Sequence, residues 1–167
     1  AQATANTSNP LYRATNGSGD AWSVSLWFKP GTSNNSTQTM LYYGGDDTNN
    51  EGGVWIYYSG NGGDKKYCIR YGTNNNYVER CTAANTAIPG QWQHLLFTFD
   101  GGTTGSNSGS LQSYYGRFSI YVDGSAATYT NNHSNYGFTG SLVADRYDVG
   151  RRAQQNYLRA NCLLEEL

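Results

Sequence analysis

Residues 22–29, Trp22-Ser23-Val24-Ser25-Leu26-Trp27-Phe28-Lys29, alternate in a two-residue period without a break. That period belongs to an extended strand, whose successive side chains point to opposite faces. Trp22, Val24, Leu26 and Phe28 therefore share one face, and Ser23, Ser25, Trp27 and Lys29 share the other. Pro30-Gly31 stops the strand. The same grammar recurs along the chain. A strand at 39–43 stops at Gly44-Gly45, and one at 54–58 lies between Gly52-Gly53 and Ser59-Gly60. Strands at 66–71 and 77–82 flank the turn Thr73-Asn74-Asn75-Asn76. Strand 92–99 turns Leu95, Phe97 and Phe99 to one side, and strand 117–122 turns Phe118, Ile120 and Val122 inward. Asp123-Gly124 reads as a hairpin turn into 126–130, and 147–150 and 158–167 complete the series. No stretch carries a sustained helical period. Many short strands at close spacing imply an all-β sandwich or barrel.

Composition narrows the possibilities. The 167 residues suit one sandwich, so the chain is expected to be a single domain over 1–167, large enough to bury a core unaided. A net charge of −1 makes no basic field for nucleic acid. No apolar run approaches the ~20 residues of a membrane-spanning helix. Residues 1–9 are small and polar, unlike a signal peptide. Against 21 Gly and 15 Tyr there is 1 Met. Tyr, Trp, Val and Thr favour half-buried pleated surface, and Gly and Asn favour tight turns. Low charge with abundant Asn, Ser, Thr, Gly and Tyr also accords with an extracellular or virion surface.

Cys68 and Cys81 flank the 73–76 turn. If that turn centres between Asn74 and Asn75, cross-strand partners sum to 149, which sets Cys68 opposite Cys81, Arg70 opposite Glu79 and Tyr71 opposite Val78. Opposed cysteines close a disulfide where the Cβ atoms come near enough; otherwise they pack as small hydrophobic thiols. Both states stay open on the sequence. Cys162 is then the odd cysteine, expected to be a buried free thiol.

Five segments in order carry a family likeness: WSVSLWFKPG (22–31), GQWQHLLFTFDGG (90–102), FSIYVDGS (118–125), YDVGRR (147–152) and NCLLEEL (161–167). Together they resemble the laminin-G-like, concanavalin-A-like lectin/glucanase jelly-roll domain, in the form found in bacteriophage tail, fibre and appendage proteins. The resemblance implies a two-sheet antiparallel β-sandwich. The family's opening strand and closing residues are thin here, which implies a piece of a longer chain.

Catalysis has little support. Glycoside hydrolysis needs two cooperating carboxyl groups. Glu165-Glu166 are neighbours on a strand and point to opposite faces. The Q-x-H strand of jelly-roll lyases has only a loose echo in Gln91-Trp92-Gln93-His94. His94 reads either as a general base or as a packing and hydrogen-bonding histidine of its strand, and the second is favoured. His133 is expected in solvent. The chain is therefore expected not to be an enzyme.

Binding has more. Carbohydrate sites set aromatic rings against C–H surfaces, with polar groups fixing the hydroxyls. If Val54 and Ile56 are core, alternation leaves Trp55 and Tyr57 on an outer sheet face. Trp27, opposite the Val24/Leu26/Phe28 face, joins them as a ligand candidate, as do Tyr42 and Tyr43. The loop Asp46-Asp47-Thr48-Asn49-Asn50-Glu51 offers hard oxygen donors suited to calcium, with Asp46, Asp47, Asn49 and Glu51 as ligands, or else is a solvated turn. Asp20 is a further candidate. The expected function is a bacteriophage appendage or fibre domain on the virion surface. It would contact a surface glycan or receptor and pack in an oligomer with other virion subunits. The rivals are a purely structural assembly module and a carbohydrate-binding module of a secreted bacterial protein.

Overall fold

A computed structural model describes residues 2–4, 21–32, 37–44, 53–72, 77–100, 117–134, 146–150 and 163–165 of the chain. The strands are β1 (Gln2–Thr4), β2 (Trp22–Lys29), β3 (Thr37–Gly44), β4 (Gly53–Ser59), β5 (Lys66–Gly72), β6 (Tyr77–Thr82), β7 (Gln93–Phe99), β8 (Phe118–Val122), β9 (Ser125–Ala126), β10 (Tyr129–Ser134), β11 (Arg146–Val149) and β12 (Leu163–Glu165). They form two antiparallel sheets. The larger runs β1-β11-β3-β4-β5-β6-β10 and the smaller β12-β2-β7-β8-β9. Among the described residues no helix is long and apolar enough to cross a membrane.

Alternation decides what each sheet buries. From the smaller sheet, Trp22, Leu26, Phe28, Leu95, Phe97, Phe99, Phe118 and Ile120 face the larger sheet's Val54, Ile56, Tyr58, Tyr67, Ile69, Tyr71 and Val78. Rings dominate one end of this core. Phe99 and Phe118 are 5.1 Å apart, with Trp22 5.9 Å from Phe99 and Tyr71 stacked on Phe99 at 6.3 Å. Each such side chain is worth about 1.5–3 kcal/mol of burial. Asp123 and Gly124, both at positive φ (52° and 78°), form the two-residue turn between β8 and β9. That backbone matches the twist of the hairpin strands it joins.

Two features were not legible in advance. On β3 the register with β4 shifts between Thr39 and Leu41, leaving Met40 as an extra residue. The bulge inverts the phase of the strand. Simple alternation groups Thr39 with Leu41 and Tyr43; instead Thr39 and Tyr42 share the outer face while Met40 and Leu41 both enter the core. Gly150 N–H donates to the Met40 carbonyl at 2.9 Å. At the far edge, Arg80 of β6 donates to the Phe118 carbonyl, and its guanidinium lies 3.6 Å over the Tyr129 ring. The Tyr129 hydroxyl accepts from Ile120 N–H at 3.0 Å and donates to the Ile120 carbonyl at 3.3 Å. Side chains of the larger sheet thus occupy backbone groups of β8, which its short partner β9 leaves over.

Candidate functional site

The outward face of the larger sheet carries a second, smaller cluster: Tyr42, Trp55, Tyr57 and the cysteines Cys68 and Cys81. Sequence places them there by two steps. Val54 and Ile56 are core, so Trp55 and Tyr57 point the other way along β4. Tyr42 pairs with Trp55 and Thr39 with Tyr57, as the β3 bulge dictates. The register of β5 and β6 is the one in which partners sum to 149: Cys68 opposite Cys81, Arg70 opposite Glu79, Tyr71 opposite Val78. Cys68 and Cys81 form a disulfide with their Cα atoms 4.1 Å apart.

These pairings assemble a compact polar-aromatic site. Trp55 and Tyr57 stack at 4.0 Å with planes 21° apart. Arg70, directly opposite Trp55, holds its guanidinium 5.1 Å from the Trp55 ring, 5.9 Å from Tyr57 and 3.6 Å from Tyr77. Its Nε and Nη2 donate to Glu79 Oε1 at 2.9 and 2.7 Å. The Tyr57 hydroxyl donates to the same oxygen. Trp55 Nε1 donates to Thr39 Oγ1 at 3.0 Å. Burial, reinforced by the Glu79 carboxylate, pushes the Tyr57 hydroxyl well above its ordinary pKa, so it remains a donor. For Arg70, burial opposes the charge, but Tyr57 and Glu79 outweigh it and the guanidinium titrates above its usual value. Packing against three rings and an ion pair holds this guanidinium in one orientation.

The sequence candidates separate in space. Trp55, Tyr57 and Tyr42 come together, but they are buried, with 6%, 5% and 2% exposure. Tyr43 pairs with Val54 and so stands on the opposite, core side of the sheet, fully buried. Trp27 belongs to the smaller sheet, on its outward face, against His94 at 5.3 Å. The two sheets of a sandwich lie ~10 Å apart and these residues point away from each other, so Trp27 and Trp55 cannot line one site. His94 Nε2 is 2.9 Å from Ser25 Oγ, in keeping with a packing and hydrogen-bonding histidine. Asp46, Asp47, Asn49, Glu51, Asp20 and Cys162 lie outside the described residues. Among the described residues no three His, Cys, Asp or Glu side chains gather as a metal site.

Arg70 and Glu79 were not among the sequence candidates, although the signal was present. The hairpin register pairs them, and β4 alternation sets Trp55 beside Arg70. An ion pair among rings offers charge-assisted hydrogen bonds and stacking surface. The nearest same-row carboxylate described, Asp148, is reached through Tyr42, Trp55 and Arg70, four strands from Glu79. At ~4.8 Å per strand that is roughly 19 Å, well beyond the ~5–9.5 Å of paired glycosidase carboxyls.

The architecture is similar to that of the Ruminococcus gnavus IT-sialidase CBM40 bound to α2,3-sialyllactose, with a TM-score of 0.53 at 11% identity, over 84% of this chain and 68% of that one. The same module bound to α2,6-sialyllactose gives a TM-score of 0.52 at 12% identity, over 84% and 69%. At such identity the likeness is one of fold. No curated protein matches the chain in sequence. The model of the concanavalin A-like lectin/glucanases superfamily matches residues 3–159, spanning strands of both sheets. The chain therefore belongs to the concanavalin A-like lectin/glucanase superfamily.

Proposed function

We propose that this chain is a non-catalytic glycan-binding sandwich that works outside the cell, as a displayed domain of a bacteriophage fibre or appendage. The observation that carries glycan binding is the Trp55–Tyr57–Arg70–Glu79–Tyr77 cluster on the outward face of the larger sheet. Rings and a charge-assisted donor–acceptor pair are what a sugar ring requires: apolar faces for its C–H surfaces and polar atoms for its hydroxyls. Structural neighbours that are carbohydrate-binding modules with sialyllactose bound support the same class. The disulfide accords with an oxidising, extracellular compartment. The phage setting rests on the sequence resemblance and the low-charge composition, and packing with other virion subunits belongs to that setting. A carbohydrate-binding module of a secreted bacterial protein fits the same site. Calcium is proposed at Asp46, Asp47, Asn49 and Glu51 on their hard-oxygen donor set.

A purely structural assembly module is the second reading. The near-complete burial of Trp55, Tyr57 and Tyr42 favours it, because closed rings offer a ligand little area. A glycan array on the purified chain, run with calcium and then with chelator, separates the two. Binding abolished by chelator establishes glycan recognition and assigns it to the 46–51 loop. Binding that survives chelator assigns it to the ring cluster. A folded chain that binds nothing under either condition overturns the glycan reading in favour of assembly.

A further inference from the structure

Among the described residues, every hydrogen bond to the Glu79 carboxylate goes to Oε1: one from the Tyr57 hydroxyl and two from Arg70. Among the described residues nothing donates to Oε2. On the partner side, Arg70 spends Nε and Nη2 on that one oxygen and leaves Nη1 outside the pair. The side chains keep 9% and 16% exposure respectively, enough for an atom at the surface while the rest stays buried. Oε2 is within reach of solvent, so a ligand hydroxyl can take the place of water there.

We infer that Glu79 Oε2 and Arg70 Nη1 form a subsite for two neighbouring hydroxyls of one neutral pyranose ring. One hydroxyl donates to Oε2; the next accepts from Nη1. Both atoms belong to a single ion pair closed at 2.7 Å, so one ring spans them. The guanidinium's positive charge is already matched by Glu79, so the pair offers an adjacent acceptor and donor with no net charge, which suits a diol better than a carboxylate. The ring of Tyr77, 3.6 Å from the guanidinium, and the stacked Trp55 and Tyr57 hold Arg70 in place before ligand arrives. That preorganisation lowers the ordering cost of binding. Gauche hydroxyl pairs fit; a diaxial pair turns its oxygens apart and does not.

This subsite rests on the glycan-binding reading, and the experiment separates the two. The unmutated chain is screened against neutral methyl glycosides, their mono-deoxy analogues, and sialyllactose. For the best neutral glycoside, removing either of two adjacent hydroxyls is expected to weaken binding tenfold or more, whereas removing a remote one changes it less than threefold. In the same sample the Glu79 carboxyl carbon and the Arg70 guanidinium nitrogen resonances are expected to move on saturation. Glu79→Gln is expected to erase most of the penalty at one of the two positions. If no glycan of any kind binds, the glycan reading fails and takes the subsite with it. If a glycan binds without moving the Glu79 and Arg70 resonances, the subsite alone is overturned. Sialyllactose binding that disappears with its carboxylate overturns the diol assignment too, because Arg70 then serves as an anion clamp.

Discussion

The two outward faces of the sandwich are built to different standards. The smaller sheet presents Ser23, Ser25, Trp27, His94, Leu96 and Thr98, which sit in the period-2 register with β7 and are mostly half-buried or exposed. The larger sheet presents Thr39, Tyr42, Trp55, Tyr57, Arg70, Glu79 and a disulfide, packed as a second cluster on the side away from the core. A sheet face left to water needs only polar residues. A face with its own stacked rings, cross-link and ion pair is held rigid, and that contrast is why the proposed glycan binding is placed on the larger sheet.

The largest effect should come from Trp55→Ala. It removes a stacked, buried ring and strands Thr39, so a loss of about 3–5 kcal/mol is expected in denaturant unfolding. Trp27→Ala on the opposite face is the matched control; equal losses at both positions would erase the distinction between the faces. Next, replacing both Cys68 and Cys81 by Ser reopens a loop of separation 13 and should cost about 3 kcal/mol. In the intact protein neither disulfide-bonded cysteine should react with a thiol probe under oxidising conditions, and Cys68→Ser alone should leave Cys81 as a free thiol that does.

A smaller, pH-dependent effect follows from Tyr57. Its folded pKa lies above the unfolded value near ~10, so the proton is held more tightly in the folded state. Its contribution is therefore fully present below about pH 10 and declines as pH rises toward the folded value. Tyr57→Phe should flatten the alkaline fall in stability and cost about 1 kcal/mol at neutral pH. An unchanged alkaline profile would mean that Tyr57 does not report on this face. The smallest effect is Trp27→Ala itself, about 1 kcal/mol or less in the same unfolding measurement, as for a half-exposed position.

Much of the fold was legible because a strand's period is short and local. The inward sets of β2, β7 and β8 follow directly from alternation, and the β5–β6 register follows from counting outward from one turn. The expected strand 126–130 instead divides into β9 and β10, which lie in different sheets. Elsewhere boundaries moved by a residue or two: β7 begins at Gln93, which leaves Trp92 exposed, and Gln93 is buried on the face that Leu95 begins. Gln93 pays for its burial by accepting from Tyr67 and Ile88, at 2.8 Å each. The ligand candidates were only partly legible, since alternation tells which side of a strand a ring occupies and not how deeply it is covered. Trp55 and Tyr57 illustrate this: each occupies the outward side, and each is almost fully enclosed.

Sequence alone determined the all-β class, the alternating faces, the hairpin turn at Asp123-Gly124 and the opposition of Cys68 to Cys81. These depend on steric rules that act within a strand or across one turn. Only the tertiary structure decided that β3 carries a bulge, that Tyr42 rather than Tyr43 takes the outward side, and that Trp27 and Trp55 belong to different sheets. It also decided that Arg70 and Glu79 sit among Trp55, Tyr57 and Tyr77. Those outcomes depend on which strands become neighbours, and strand neighbourhood is set by long-range pairing across the whole chain, which a two-residue period does not encode.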